Sequence, residues 1–260
     1  MNKVVSNDGT TIAFDRSGEG PPLILVDGAL CSRKFGPMPG LVPLLAPHFT
    51  VFSYDRRGRG ESGDTEPYAV EREVEDIETL IKEAGGSSFA YGISSGGALA
   101  LEAAASGLGI TKLAMYEPPF FEGNGHRPPA DHQARLIEFV SSGRLGDAVD
   151  YFMTQMVGLP DEAVAPMKSM PAWSDLEAVA HTLVYDSAIM GDYSLPAERV
   201  ASVRIPTLVA AGDQTDPRLR HSAQALANTL PDPQHRSLKD QTHEVAPDAL
   251  APVLVEFFTG

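Results

Sequence analysis

The chain has 260 residues, enough for one large domain or a domain with an insertion, and enough to bury roughly three quarters of the surface its unfolded form exposes. Its 20 Lys and Arg against 35 Asp and Glu leave a formal charge of −15, which repels phosphate backbones and anionic lipid, so neither nucleic acid nor an acidic membrane is an expected partner. No apolar run approaches the ~18 residues of a membrane helix, the first residues lack the apolar core of a signal peptide, and one cysteine, Cys31, excludes an internal disulfide and a four-cysteine zinc site, so a cytoplasmic location is expected.

In chain order, Val4-Val5, Asn7-Asp8-Gly9-Thr10 and Ile12-Ala13-Phe14 read as a hairpin, with Asp-Gly supplying the positive φ of the turn. Short runs that are apolar on both faces follow at Leu23–Val26, Val51–Tyr54, Phe89–Tyr91, Leu113–Tyr116 and Thr207–Ala211, the pattern of strands buried between helix layers. His235–Leu238 is a weaker last strand. Helical spacing appears at Val70, Val74, Ile77 and Ile81 before Gly85-Gly86, in the small-residue stretch from Ser95 to Gly107, at Leu219, Ala223, Leu226 and Leu230, and at Leu250, Leu254 and Phe257. Strand and helix alternate, which predicts a mostly parallel sheet.

The alternation stops between Pro118 and about Arg204. Helical segments at His132–Val140, Leu145–Met156, Asp161–Met167 and Asp175–Ile189 follow one another there, punctuated by prolines. The expected organisation is a core of residues 1–117 and 201–260 with a helical cap, 118–200, inserted after the sixth strand.

Gly92-Ile93-Ser94-Ser95-Gly96 joins the Phe89–Tyr91 strand to the small-residue helix. G-x-S-x-G at a strand-to-helix turn holds its serine in strained dihedrals, exposed above the sheet, with the helix N-terminus and the Ser95 amide behind it. Ser94 is therefore the candidate nucleophile. With these residues the chain resembles the α/β-hydrolase fold family over nearly all its length. The resemblance implies an eight-stranded, mostly parallel sheet with helices on both faces. Asp55-Arg56-Arg57-Gly58-Arg59-Gly60-Glu61-Ser62 is similar to that family's D-x-R-G-x-G-x-S turn, a structural loop in which Arg57 would tie the turn.

Where many members carry His-Gly after the third strand, this chain has Asp27-Gly28-Ala29-Leu30. An amide of Gly28 or Ala29, paired with that of Ser95, would form an oxyanion hole, each donor supplying on the order of 3 kcal/mol in the transition state. The Asp27 carboxylate would have to turn away from the developing charge. Cys31 reads as a packing residue.

The family's chain order of serine, acid and histidine selects His243, between the last strand and the last helix, as general base. His126, His132 and His181 fall in the cap, facing solvent or lining a pocket. The acid is open at this point. The usual Gly-x-x-Asp register gives Gly212-Asp213-Gln214-Thr215, so Asp213 and Asp216 both miss it, and Asp216 before Pro217 also reads as a helix N-cap. Glu117 is the other candidate. It follows the Leu113–Tyr116 strand, where some dehalogenases and the fungal zearalenone-type lactonases carry their acid, and that lactonase group is also similar in its Asp-Gly oxyanion loop and in a Glu closely followed by Pro. A carboxylate at an apolar strand end needs a partner, and an imidazole would be one.

Phe120, Phe121, Tyr151, Phe152, Met153, Met156, Met167, Met170, Trp173 and Tyr185 crowd the cap. Most should pack cap helices, while a few, with Trp173 the first choice, should line a pocket. An apolar roof and a negative chain favour a neutral, hydrophobic small-molecule substrate. The sequence has no phosphate loop or metal-ligand cluster, so no cofactor or metal is expected. The expectation is a serine hydrolase of carboxylic esters or lactones. Carbon–carbon or thioester hydrolysis, a lyase reaction on the same fold, and a slow-turnover ligand receptor are the alternatives.

Overall fold

The computed structural model describes residues 1–121 and 127–260, so His126 lies outside the described residues. Eight strands form one sheet: β1 (Asn2–Val5), β2 (Thr11–Ser17), β3 (Pro22–Val26), β4 (Thr50–Tyr54), β5 (Ser88–Ile93), β6 (Ile110–Tyr116), β7 (Thr207–Gly212) and β8 (Pro233–Leu238). Their order is β1-β2-β4-β3-β5-β6-β7-β8. β1 and β2 pair antiparallel, as do β2 and β4, and every later pair is parallel. This is the mostly parallel α/β-hydrolase sheet that the resemblance implies.

Alternation along the strands divides two apolar layers. Leu23 and Leu25 of β3, with Tyr91, Ala114, Leu208 and Ala210, face α1 (Met38–Leu45) and α11 (Pro247–Thr259), meeting Leu41, Leu45, Leu250, Leu254 and Phe258. Ile24 and Val26 point the other way, with Phe52, Leu113, Met115 and Val209, towards Ile77 and Leu80 of α2 (Val70–Glu83), Leu99 of α3 (Ser95–Ala105) and Leu226 of α10 (Pro217–Thr229). All residues of β4 and β7 are buried. β8 is exposed except for Leu238, which fits its place at the sheet edge and its weak apolar signal.

Between β6 and β7 the chain runs through α4 (His132–Ser141), α5 (Leu145–Tyr151), α6 (Asp161–Met167), α7 (Ala172–Ala178), α8 (Leu183–Met190) and α9 (Ala197–Ser202), with no strand among the described residues. Two details differ from the sequence reading. The helix expected over Leu145–Met156 widens into a π-helical turn at Phe152–Val157, ending at Gly158 in the left-handed region. The single helix expected over Asp175–Ile189 is broken after Ala178. There the Thr182 hydroxyl donates to the Val179 carbonyl at 2.7 Å, and a short 3₁₀ turn, Ala180–Thr182, re-aims the chain into α8.

Most of the cap's aromatic and methionine side chains join the layer below it. Met170 does not, being 57% exposed. Tyr185 stacks on Tyr68 with ring centroids 3.9 Å apart and donates its hydroxyl to Asp64, which clamps α8 onto the core.

Candidate active site

β5 ends at Ile93, and the next residue cannot continue either element. Ser94 takes φ 54 and ψ −129, a conformation that a non-glycine residue holds only when its surroundings enforce it. Its amide donates to the Tyr116 carbonyl at 2.9 Å, and its own carbonyl caps the first turn of α3 through the Gly97 amide. Gly96 permits the sharp turn, because a Cβ there would lie 2.4 Å from the Asp27 carbonyl oxygen. The helix N-terminus thus sits directly against the loop after β3. Gly28 of that loop faces the serine, with its Cβ position 3.2 Å from Ser94 Cβ and 3.8 Å from Ser94 Oγ.

Glu117 follows β6 with φ 48, again in the left-handed region, and its side chain is fully buried. His243, 126 residues later, approaches its Oε2 through Nδ1 at 2.7 Å. The same oxygen accepts from Thr215 Oγ1 at 3.0 Å, and Oε1 accepts from the Gly212 amide at 2.8 Å. The histidine loop is held from below as well, where the Tyr116 hydroxyl donates to the Thr242 carbonyl at 2.6 Å. Against a carboxylate acceptor Nδ1 carries the proton, which leaves Nε2 as the basic nitrogen. The His243 side chain is 40% exposed, so the pair is open to a ligand on one side.

The other candidate acids are engaged elsewhere. Asp216 caps α10, accepting from the Arg218 amide at 2.7 Å and from the Arg218 guanidinium. Asp213 accepts the Asp240 amide at 2.7 Å. Of the three, Glu117 is the one brought to His243.

Asp27 is 2% exposed, and among the described residues neither of its carboxyl oxygens has a hydrogen-bond partner. Burial drives its carboxyl well above the usual carboxylate range, against the pull of the Arg59 and Arg56 guanidiniums. That direction favours its neutral form in the folded protein. Cys31 packs against Gly36, and burial pushes its thiol up to about 12, so it stays protonated.

Arg57 is fully buried between Asp76, bound by Nε and Nη2 at 2.8 Å each, and Asp8, also at 2.8 Å. It ties the turn to α2 and to the hairpin. Of the two alternatives for the cap histidines, facing solvent or lining a pocket, His132 does not take the first. It is 5% exposed, its Nδ1 sits 2.9 Å from the Pro129 carbonyl, and its ring packs edge-on to Tyr193. His181 pairs with Asp64 at 3.3 Å. Trp173 is buried in the cap, with its indole donating to Glu177 on its own helix at 3.1 Å.

Sequence reasoning missed three contributors. Thr215 looked like the gap in an acid register. Arg56 and Arg59 looked like loop filler, yet both reach Asp186 of α8 (Arg56 Nη1 to Oδ1, 2.8 Å; Arg59 Nη2 to Oδ2, 2.6 Å). The available signal was a lone acid in the otherwise apolar Leu183–Met190 helix, since a buried carboxylate requires a partner.

Among the described residues no cluster of His, Cys, Asp and Glu could hold a metal ion, and no helix is long and apolar enough to cross a membrane. The Alpha/beta hydrolase family model matches residues 25–252. An alpha/beta hydrolase from Sphaerobacter thermophilus is 56% identical, with a TM-score of 0.93 over 99% of this chain and 100% of that one. A thermophilic esterase from Thermogutta terrifontis is 21% identical at a TM-score of 0.74, covering 99% of this chain and 97% of its own. The enol-lactonase from Burkholderia xenovorans is 21% identical at 0.73, over 100% of each. The last two likenesses carry the fold alone. With most of its length matched by the family model, the chain belongs to the alpha/beta hydrolase family.

Proposed function

We propose that this protein is a serine hydrolase that cleaves a carboxylic ester or lactone of a neutral, hydrophobic small molecule through an acyl-enzyme. In this reading Ser94 attacks the carbonyl, His243 Nε2 takes the serine proton and later returns it to the leaving group, and Glu117 orients the imidazole and stabilises its charge. The amides of Gly28 or Ala29 and of Ser95 stabilise the oxyanion. Water then repeats the sequence on the acyl-enzyme.

The observation that carries the reading is the 2.7 Å contact between Glu117 and His243 Nδ1. A carboxylate fully buried at a strand end, and a histidine from a loop 126 residues away, are costly to bring together unless the imidazole must be held in one tautomer. The strained Ser94, with Gly28 against its hydroxyl, supports the nucleophile. The substrate class rests on the formal charge of −15 and on a cap that buries aromatic and methionine side chains, among them Phe120, Phe121, Met156 and Trp173, in one apolar cluster.

The test is turnover of para-nitrophenyl esters of increasing chain length, and of neutral lactones, by the wild type and by Ser94→Ala. Sustained turnover is expected, with a loss on the order of 10⁶-fold in kcat on removing the hydroxyl. Retention of most of the rate in Ser94→Ala would refute the nucleophile, and a stoichiometric burst followed by very slow turnover would mark a binding protein instead.

A further inference from the structure

Asp186 reaches from cap helix α8 into the core, where it is 2% exposed and holds three donors at once. Oδ2 accepts from Arg59 Nη2 at 2.6 Å, while Oδ1 accepts from Arg56 Nη1 at 2.8 Å and from Ser95 Oγ at 2.7 Å. Both guanidiniums reach further, to the backbone after β3. Arg59 Nη1 donates to the Gly28 carbonyl at 2.5 Å, and Arg56 Nη1 donates to the Asp27 carbonyl at 3.2 Å. Glu73 of α2 takes the other edge of Arg56 at 2.7 and 2.8 Å. Within this cluster two arginines, Arg56 and Arg59, face two carboxylates, Glu73 and Asp186.

These contacts fix more than charge. A trans peptide points its C=O and N–H in opposite directions, and the only cis bond among the described residues is Glu66-Pro67. Holding the Gly28 oxygen on the buried side therefore turns the Ala29 N–H away from the guanidinium. Holding the Asp27 oxygen does the same for the Gly28 N–H. Gly28 lies against the Ser94 side chain, so the loop whose peptides are held in this way is the one beside the serine. The third donor, the Ser95 amide, belongs to a residue whose hydroxyl is tied to the same carboxylate.

We propose that Asp186 is a positioning residue for the oxyanion hole: from the cap it grips Arg59 and Arg56, which orient the Gly28–Ala29 and Asp27–Gly28 peptides, and it anchors Ser95. The inference rests on the Ser94 reading above. Its consequence is that the hole is complete only while α8 is docked on the core, so the cap takes part in transition-state binding without touching the substrate at this point.

A buried counterion with a purely structural role would change stability and leave the discrimination between ground state and transition state alone. The test uses the full chain with Asp186→Asn and Arg59→Lys. The lysine keeps the charge and loses the fork that holds Asp186 and Gly28 together. Two probes are compared: an aryl trifluoromethyl ketone, which adds the Ser94 hydroxyl and places an oxyanion in the hole, and the matching secondary alcohol, which cannot. The expected result in both variants is a kcat for para-nitrophenyl butyrate lower by roughly 10- to 100-fold, with KM within about twofold. The ketone's inhibition constant should rise in step while the alcohol's stays unchanged.

If either variant folds and keeps the wild-type kcat and ketone affinity, the proposal is overturned, and Arg59→Lys alone decides if Asp186→Asn does not fold. A fluorophosphonate separates this from failure of the underlying reading. If it does not label wild-type Ser94, the nucleophile and the proposal fall together. Labelling of wild-type Ser94, combined with unchanged variants, removes only the positioning role.

Discussion

The Thr215 hydroxyl donates to the Glu117 carboxylate at 3.0 Å, on the oxygen that also receives His243. Thr215 stands third after Gly212, the position at which the family resemblance leads one to look for an aspartate. A hydroxyl there does what an acid could not, since two carboxylates at this spacing would repel. Thr215→Val keeps the shape and removes the donor. The expected outcome is a fall of roughly tenfold in kcat and about 1 kcal/mol in unfolding free energy, the usual cost of one lost hydrogen bond, measured by ester kinetics and urea denaturation.

The two acid positions separate in a direct comparison. Glu117→Gln should lower kcat by roughly 10³- to 10⁴-fold, because an amide no longer fixes the imidazole tautomer or its charge. Asp213→Asn should leave kcat within a few-fold. Asp216→Ala should also keep its rate but lose about 1 kcal/mol of stability, as the cap of α10 is removed. Near-native turnover in Glu117→Gln would move the acid elsewhere.

Gly212 gives a steric test of the same assembly. A Cβ there would fall 2.1 Å from the Gln241 carbonyl oxygen and 2.9 Å from the Tyr116 hydroxyl, the group that holds Thr242. Gly212→Ala must therefore push the histidine loop outward. The expected outcome is a fall in kcat of roughly 100-fold or more, since a displacement near 1 Å is enough for that, while KM changes less. Unchanged kcat would show that His243 is not held by this contact.

The sheet was legible because its central strands are apolar on both faces and bounded by Gly, Pro and Asp. The turn carrying Ser94 was legible because glycines at 92 and 96 bracket it at a strand end. Helix α1 was not, since Pro39, Gly40 and Pro43 mask the apolar stripe of Met38, Leu41 and Leu45 that buries it. The acid stayed open because Glu117, Asp213 and Asp216 all sit beside strand ends, and only the three-dimensional path of the His243 loop chooses among them. That Asp186 needs a partner could be read from its apolar helix, but which residues supply it could not, for a related reason. Its partners lie 91, 127 and 130 residues away, and no local pattern encodes a contact at that range.

Asp27 makes a prediction in the opposite sense from an ordinary ion pair. Its folded-state carboxyl is raised by burial, so folding at neutral pH must take up a proton that the unfolded chain, with an aspartate value of about 3.9, has already released. The folded state binds more protons there, so this group's contribution is fully favourable below about pH 4 and declines as pH rises, by about 1.4 kcal/mol per unit for as long as the folded acid stays protonated. Asp186 runs the other way. Burial raises it, but Arg59, Arg56 and Ser95 outweigh burial and hold it below its usual value, so its contribution is present above about pH 4 and is lost as acid protonates it. Asp27→Asn removes the first term while keeping the shape. Relative to wild type it should be more stable at pH 7 to 8, with the advantage shrinking towards zero near pH 4, as read from denaturant midpoints across that range. An advantage that is flat with pH would mean that Asp27 is ionised in the folded protein. The loop beside Ser94 would then carry a buried negative charge next to the developing oxyanion, and the neutral-acid account of Asp27 would fail.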